Sequence, residues 1–257
     1  TSSDVVRIAP VIAATSAPTG TEPTPVATVE ATLERARRLL SDGSDDDAIA
    51  AIETALATPS VAARSRLFAL LGDAHRLAGR PDRARDAYER ALAQADAPEG
   101  VHVDLAALLA AQGRGRDAAD VWRRYLDAHP DGHYAARALS NLAAVAENDG
   151  RPADAMALRR RLLVTAPASP EAVRALVDGG RHLAQTGDAD EAAKWYEARV
   201  SDPRAALAEA ALVGLMRVRL QQDRPSDVRA LADVYARRFA DGPRRDEVRR
   251  LIESVGR

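Results

Sequence analysis

The stretch Leu67–Leu92, LFALLGDAHRLAGRPDRARDAYERAL, predicts two helices joined by a tight turn. In its first half, apolar residues recur at i, i+3, i+4 and i+7, which lays one apolar stripe along a helix. A break follows, in which Gly79 suits a left-handed helix end and Pro81 suits the first turn of the next helix. The second half carries a matching apolar stripe. The small residues Gly72 and Ala84 allow the two helices to pack closely.

The same turn recurs along the chain at nearly constant spacing, from 34 to 37 residues. The turn residues are Gly43, Gly79, Gly113, Gly150, Gly187 and Asp223. A small or apolar residue stands five positions after each turn, and these residues are Ala48, Ala84, Ala118, Ala155, Ala192 and Val228. Six copies cover residues 26–240. A period of this length is typical of helical repeat arrays.

These copies resemble the tetratricopeptide repeat, whose pattern is W-x2-L-G-x2-Y, then A-x3-F, then P. The matching residues of the second copy are Phe68, Leu71, Gly72, His75, Ala84, Tyr88 and Pro98. The third copy matches with Leu105, Ala106, Ala118, Trp122 and Pro130. The fourth keeps Leu142, Ala143, Ala155 and Pro167 but has Arg159 where an aromatic residue is usual. The resemblance implies an all-α fold, a right-handed α-α superhelix of about six helix pairs.

The expected repeats lie at about 26–58, 61–96, 99–130, 132–167, 168–203 and 204–240, followed by a capping helix at 244–256. Residues 1–25 are rich in Pro and Thr after a short β-prone run, which favours an extended or disordered tail. Two alternatives are a strand that pairs with a missing domain and a segment that lies along the array.

Composition excludes several classes of function. The net charge of −2 provides no basic field for nucleic acid. The chain has no cysteine, so disulfides, thiolate metal sites and thiol nucleophiles are absent. No apolar run reaches the roughly 20 residues needed to cross a bilayer. Because the chain begins at Thr1 without a methionine, membrane association is expected only through a segment missing from it.

The acidic turn SDGSDDD at residues 41–47 has two interpretations. Asp42, Ser44, Asp46 and Glu53 stand at positions 1, 3, 5 and 12 of a calcium-loop pattern. The glycine required at position 6 is replaced by Asp47. A capping arrangement, in which Ser44 and Asp47 start the next helix, is therefore the favoured interpretation.

No catalytic constellation is evident. The chain has no Gly-rich phosphate loop, no H-E-x-x-H and no nucleophile elbow. His129 and His133 are four residues apart, but they flank a turn and no third ligand is evident nearby, so a solvent-exposed pair is favoured over a metal site. We therefore expect no enzymatic activity, no cofactor and no metal.

The resemblance also implies where a partner would bind. In the family, the first helix of each repeat lines a concave face that grips peptide segments. The ligand-facing positions, carried across residue by residue, give Arg66, Asp73, Arg76, Arg137, Asn141, Glu147, Asn148, Arg174, Asp178, Arg181, Gln185, Arg217 and Gln221. Several are arginines, whose planar donors suit carboxylates, so a protein or peptide partner of acidic character is expected. The alternative is that these arginines are solvated and paired with nearby acids. The Lys/Asn clamp that some members use for a C-terminal carboxylate has no match.

Two segments suggest a compartment. Residues 123–143, RRYLDAHPDGHYAARALSNLA, and 235–252, YARRFADGPRRDEVRRLI, resemble repeats of bacterial envelope proteins, namely outer-membrane assembly lipoproteins and Tol-Pal-associated periplasmic factors. The leading hypothesis is therefore a non-enzymatic scaffold in a periplasmic or cell-envelope location. The alternatives are a sensor domain of a membrane-anchored anti-sigma-type regulator and a cytoplasmic adaptor that serves an attached enzyme.

Overall fold

The computed structural model describes residues 25–58 and 63–255, and within these ranges the chain is a row of helices without a strand. The helices are α1 (Pro25–Ser41), α2 (Asp45–Leu56), α3 (Arg64–Leu77), α4 (Pro81–Leu92), α5 (Gly100–Ala111), α6 (Gly115–Ala128), α7 (Ala135–Asn148), α8 (Pro152–Thr165), α9 (Pro170–Gln185), α10 (Ala189–Val200), α11 (Ala205–Gln221), α12 (Pro225–Arg238) and α13 (Arg245–Val255). The predicted all-α repeat superhelix is confirmed. The predicted tail lies outside the described residues except for Pro25, at which α1 begins.

Each helix pair turns at the residue that the repeat period indicates. All six predicted turn residues have positive φ, between 55° and 87°. At Gly79 a side chain would meet nothing within 4 Å, so the left-handed backbone, and not crowding, is the reason for glycine. The sixth turn uses Asp223 at φ 55°, a residue type that tolerates this conformation better than most.

The start of α2 differs from the capping prediction. Ser44 directly precedes the helix, but its side chain makes no capping hydrogen bond. The predicted cap is wrong in this respect, and the backbone of Ser44 is not the reason, since Asp188 caps α10 at similar angles, φ −95° and ψ 67°, by accepting from the backbone nitrogen of Glu191. Asp45, Asp46 and Asp47 still occupy the first turn, where they stabilise the helix dipole. Asp46 also forms an ion pair of 2.8 Å with Arg80 in the next turn.

The two helices of a repeat contact each other through one large and one small buried residue. In the second repeat the ring of Tyr88 on α4 lies against Gly72 on α3 so closely that a Cβ there would be 2.4 Å from it. The equivalent pairs, seven residues before and nine after each turn residue, are Ala36/Ile52, Gly72/Tyr88, Ala106/Trp122, Ala143/Arg159, Gly180/Tyr196 and Met216/Ala232. All twelve residues are buried, and the last pair exchanges the large and small members.

Neighbouring repeats stack by packing the second helix of one repeat against the first helix of the next. Some of the first helices, which are α1, α3, α5, α7, α9 and α11, also contact one another. Helix α1 contacts α3, α7 contacts α9, and α9 contacts α11. No comparable contact joins one second helix to the next within the part of the chain that the structure describes. Because one row of helices is crowded and the other is spread apart, the stack curves with the first helices on its concave side. We call their exposed surface the first-helix face.

The C-terminal helix closes the stack. Val248 of α13 is buried with residues of α11 and α12 in a small apolar cluster of its own. A larger cluster runs without interruption from α1 to α11. An ion pair of 2.6 Å between Arg217 and Glu247 also joins α11 to α13. The last repeat is therefore covered on the side where another repeat would stack.

Candidate partner-binding surface

All of the residues predicted to contact a partner are at least partly exposed on the first helices. The ion pairs they make divide the predicted arginines into two groups. Arg66, Arg76, Arg181 and Arg217 each lie within 4.0 Å of a carboxylate oxygen. Arg137 and Arg174 make no ion pair with any described residue. The alternative interpretation, arginines paired with nearby acids, therefore applies to the first four.

At the N-terminal end, Arg66 ties α3 to α1. Its Nη2 donates to Glu30 Oε2 at 3.1 Å, and its Nη1 donates to the other oxygen of the same carboxylate. These hydrogen bonds lower the pKa of Glu30. A bidentate pair between neighbouring first helices stabilises the stack, and it leaves Arg66 less free to receive a partner.

A mixed cluster of charges lies further along the face, where α3, α5 and α7 follow one another. Tyr88 donates from its hydroxyl to Asp73 Oδ1 at 2.7 Å. Desolvation raises the pKa of Asp104 on α5, and the negative charge of Asp73 raises it further, while Arg76 and Arg137 oppose both effects. Two acids and two arginines from three successive first helices therefore lie together on this part of the first-helix face.

Asp104 was not among the predicted residues, although a signal for it exists. It stands 37 residues before Asn141, which stands 37 residues before Asp178. These three residues therefore occupy one register position on α5, α7 and α9, as the turn spacing of 37 residues also shows. Extending the register by one repeat toward the N-terminus finds Asp104.

Four of the predicted residues meet around one cavity. Asn141, Glu147, Arg174 and Asp178 line a cavity of about 120 Å³ that lies between α7, α8 and α9. Asp178 forms an ion pair of 3.4 Å with Arg181. Arg174 is exposed and has no hydrogen-bond or ion-pair partner among residues 25–58 and 63–255. The cavity therefore combines a neutral amide, two acids and an unpaired cation.

The same cavity is lined by a residue outside the predicted set, Arg159 on α8. Arg159 is only 4% exposed. Its Nη2 donates to Glu147, and its Nη1 has no hydrogen-bond partner in the described part of the protein. The sequence already marks this residue as irregular, because it occupies the position of an aromatic side chain.

The remaining predicted residues lie apart from this cavity. Asn148 lines a different, more peripheral cavity of about 420 Å³ beside the turn at residues 113–117. Gln221 donates to the carbonyl oxygen of Ala184 at 3.3 Å, which links α11 to α9. Asn141, which does line the cavity, also donates to the carbonyl oxygen of Arg137 at 2.8 Å, within α7. Gln185 is exposed near the end of α9.

The loop between α6 and α7 holds the histidine pair. His133 is exposed, and His129 is partly exposed with its Nδ1 3.8 Å from Glu99. Tyr125 donates to Glu99 at 2.8 Å and accepts from the backbone nitrogen of Tyr134 at 2.8 Å, so these contacts fix the loop. Across the described ranges, no group of three or more His, Asp or Glu side chains is arranged to hold a metal ion. Every described helix is too short or too polar to cross a lipid bilayer.

The chain was compared with known proteins in sequence and in structure. No curated protein matches the chain in sequence. Among solved structures, the fold is similar to Pseudomonas aeruginosa pilF (TM-score 0.51, 16% identity, 88% of this chain and 98% of that chain). It is also similar to a tetratricopeptide repeat protein from Parabacteroides merdae (TM-score 0.53, 16% identity, 90% and 99%). A third similar structure is Naa15/Naa10 bound to HypK-THB (TM-score 0.53, 18% identity, 90% and 36%).

A family model described as tetratricopeptide repeat matches residues 33–99 and 103–170, which together make just over half of the chain. The matched ranges contain α2 to α8 and the turns at Gly43, Gly79, Gly113 and Gly150. The recurring turns, the large and small buried pairs and the curved stack of helix pairs agree with this match. The chain belongs to the tetratricopeptide repeat family.

Proposed function

We propose that this protein is a non-enzymatic scaffold that binds a segment of a partner protein along its first-helix face. Members of the family are generally scaffolds for protein assembly, and their curved stacks present an extended concave surface. One structure of similar fold, Naa15/Naa10 bound to HypK-THB, is itself a complex of several proteins. No described residue favours the regulatory-sensor alternative over this scaffold.

The observation that carries the proposal is the pair Arg137 and Arg174. They stand 37 residues apart at the same register position of α7 and α9, which contact each other. Both are exposed, and neither forms an ion pair within the described residues. Arginine presents planar donors that match carboxylates, and neither guanidinium has to break an ion pair to bind one, although Arg137 also attracts Asp104 on α5. The partner segment is therefore acidic where it crosses α7 and α9.

The experiment is affinity capture from the native cell with the protein as bait. The variant Arg137→Glu/Arg174→Glu reverses two unpaired charges of the first-helix face. The matched control is Arg161→Glu/Arg237→Glu, because these arginines are also exposed and unpaired but lie on the second helices α8 and α12. We expect the first variant to lose specific partners and the control to keep them. Equal capture by both variants would contradict binding on this face.

We further propose a bacterial cell-envelope location, with the cytoplasm as the alternative. The support is the resemblance of residues 123–143 and 235–252 to repeats of envelope proteins. Fractionation of native cells, with antibody detection of the endogenous protein, tests this proposal. Recovery in the periplasmic or membrane fraction is expected, and recovery with cytoplasmic markers would contradict it.

A further inference from the structure

The cavity at Arg159 lies where the fourth repeat departs from the residue pattern of the other repeats. Nine residues after the turn, the second helix directs a large residue toward the first helix, and these residues include Ile52, Tyr88, Trp122 and Tyr196. In the fourth repeat this position holds Arg159. An aromatic ring fills the interior between the helices, whereas the arginine side chain is narrow. A cavity of about 120 Å³ remains beside it, with room for several water molecules or for one acidic side chain.

The burial of Arg159 is costly unless its guanidinium is fully bonded. A buried charge is tolerated when its hydrogen-bonding groups are satisfied, and each unsatisfied group is unfavourable. Glu147 satisfies Nη2, but Nη1 has no acceptor in the described part of the chain. An aromatic or aliphatic residue would avoid this cost, as it does in the neighbouring repeats. The site therefore retains a donor whose acceptor has to come from another molecule.

The charges around the cavity favour an anion as that acceptor. The lining includes two acids, Glu147 and Asp178, and two arginines, Arg159 and Arg174. Glu147 is bonded to Arg159, and Asp178 is paired with Arg181 at 3.4 Å, outside the cavity lining. The positive charge of Arg174 is then uncompensated. A ligand with one negative charge would neutralise the site.

From these observations we propose that the cavity between α7, α8 and α9 binds the side-chain carboxylate of an aspartate or glutamate from the partner segment. The carboxylate accepts from Nη1 of Arg159 and from the guanidinium of Arg174, and Ser140 and Asn141 lie beside it as neutral polar groups. This inference rests on the proposed function, since it names the group of an acidic partner that the groove recognises. It assigns recognition to a buried residue of the second helix, not only to the exposed face of the first helices.

A small probe tests the site without knowledge of the partner. The full chain is labelled with 15N-arginine, and the Nε–Hε cross-peak of Arg159 is followed by NMR during titration with N-acetyl-L-glutamate α-amide. The neutral control is N-acetyl-L-glutamine α-amide, which has the same shape without the charge. The cross-peak is identified by its loss in the variant Arg159→Ile, which copies the Ala36/Ile52 pair of the first repeat.

We expect a saturable shift with the glutamate probe, with a Kd on the order of 1 mM for so small a ligand, and no saturable shift with the glutamine probe. Arg174→Gln is expected to weaken the binding at least about threefold, and Arg161→Gln on the same helix as Arg159 is expected to leave it unchanged. A peak that does not move, or that moves equally with both probes, would overturn the inference.

The two proposals fail in different ways. If partner capture depends on Arg137 and Arg174 while the Arg159 peak ignores the glutamate probe, the scaffold proposal stands and the carboxylate site is overturned. If the peak responds specifically while capture is insensitive to the reversed charges, the cavity binds a carboxylate, but binding of a partner along the first-helix face is overturned. Circular dichroism of Arg159→Ile confirms that the array is folded in each case.

Discussion

Replacing Gly180 with alanine is expected to destabilise the protein by at least about 2 kcal/mol. A Cβ at Gly180 would lie 2.2 Å from Cζ of Tyr196, which is 1.2 Å closer than ordinary van der Waals contact at 3.4 Å. The ring cannot move away, because a Cβ built at Gly214 on the next first helix would also lie 2.2 Å from it. The Tyr196 hydroxyl would in addition shift from the carbonyl oxygen of Val177, to which it donates at 3.2 Å.

The magnitude follows from three contributions. Overpacking of a filled core costs typically about 1–3 kcal/mol, and a ring held between two backbones belongs at the upper end of that range. Loss of one hydrogen bond costs about 1 kcal/mol more. The higher helix propensity of alanine returns about 1 kcal/mol. Together these contributions predict a net loss of about 2–3 kcal/mol.

The assay is urea denaturation followed by far-ultraviolet circular dichroism and by fluorescence. Trp195 is adjacent to Tyr196, and Trp122 lies in the third repeat, so variants with a single tryptophan report whether the fifth repeat is lost first. The control is Gly115→Ala at the start of α6, where a Cβ would meet nothing within 4 Å, and we expect a change below about 0.5 kcal/mol. If Gly180→Ala matched or exceeded the wild-type stability, the tight packing of Tyr196 between the two glycines would be refuted.

Three further predictions concern buried charged and titratable groups. Burial lowers the pKa of His75 and His102 below the ordinary value of 6.5. As the pH falls from 7.5 to 5.5, the unfolded chain therefore binds protons that the native state does not bind, which destabilises the native state. The midpoint of urea denaturation should decrease over this pH range. In His75→Leu/His102→Leu this decrease should be smaller, and an unchanged pH dependence would contradict the assignment. Burial raises the pKa of Tyr125 from 10.0 to about 12. The stability that this shift contributes is therefore complete below pH 10 and is lost as the pH rises toward 12. Tyrosinate absorbance during alkaline unfolding measures this loss. Arg159→Ile should leave the free energy of unfolding unchanged or raise it by about 1 kcal/mol, because it removes a poorly satisfied buried charge while the side chain of Glu147 stays 44% exposed to water. If urea denaturation instead showed a large decrease in this free energy, the ion pair between Arg159 and Glu147 would be shown to stabilise the fold.

The fold could be predicted from sequence because the turns that end its helices are determined by local sequence. The left-handed conformation at a turn depends on one residue, so a glycine such as Gly43 or Gly79 predicts it without reference to the rest of the chain. The period then identified Asp223 as a turn residue although it is not glycine. The predicted capping of α2 by Ser44 is wrong because the sequence signature fixes the residue types but not whether the side chain turns toward the free N–H groups of the helix, as that of Asp188 does in α10.

The candidate site could be predicted only in part. Asn141, Arg174 and Asp178 lie together because the register of the first helices is regular. The pairing of Arg66 with Glu30 depends on how closely two helices approach, which the superhelical geometry sets and sequence spacing does not. Arg159 was visible as an exception to the pattern, yet sequence alone could not show that its guanidinium is buried with a single partner.

The covering of the last repeat by α13 affects how copies of this protein can associate. Repeat units present similar edges, so an uncovered edge invites a second molecule to continue the series, and head-to-tail contacts of that kind grow into open fibres. A second molecule arriving at this end would first have to displace Val248 from its apolar cluster and separate Arg217 from Glu247. Polymerisation through this end is therefore unfavourable.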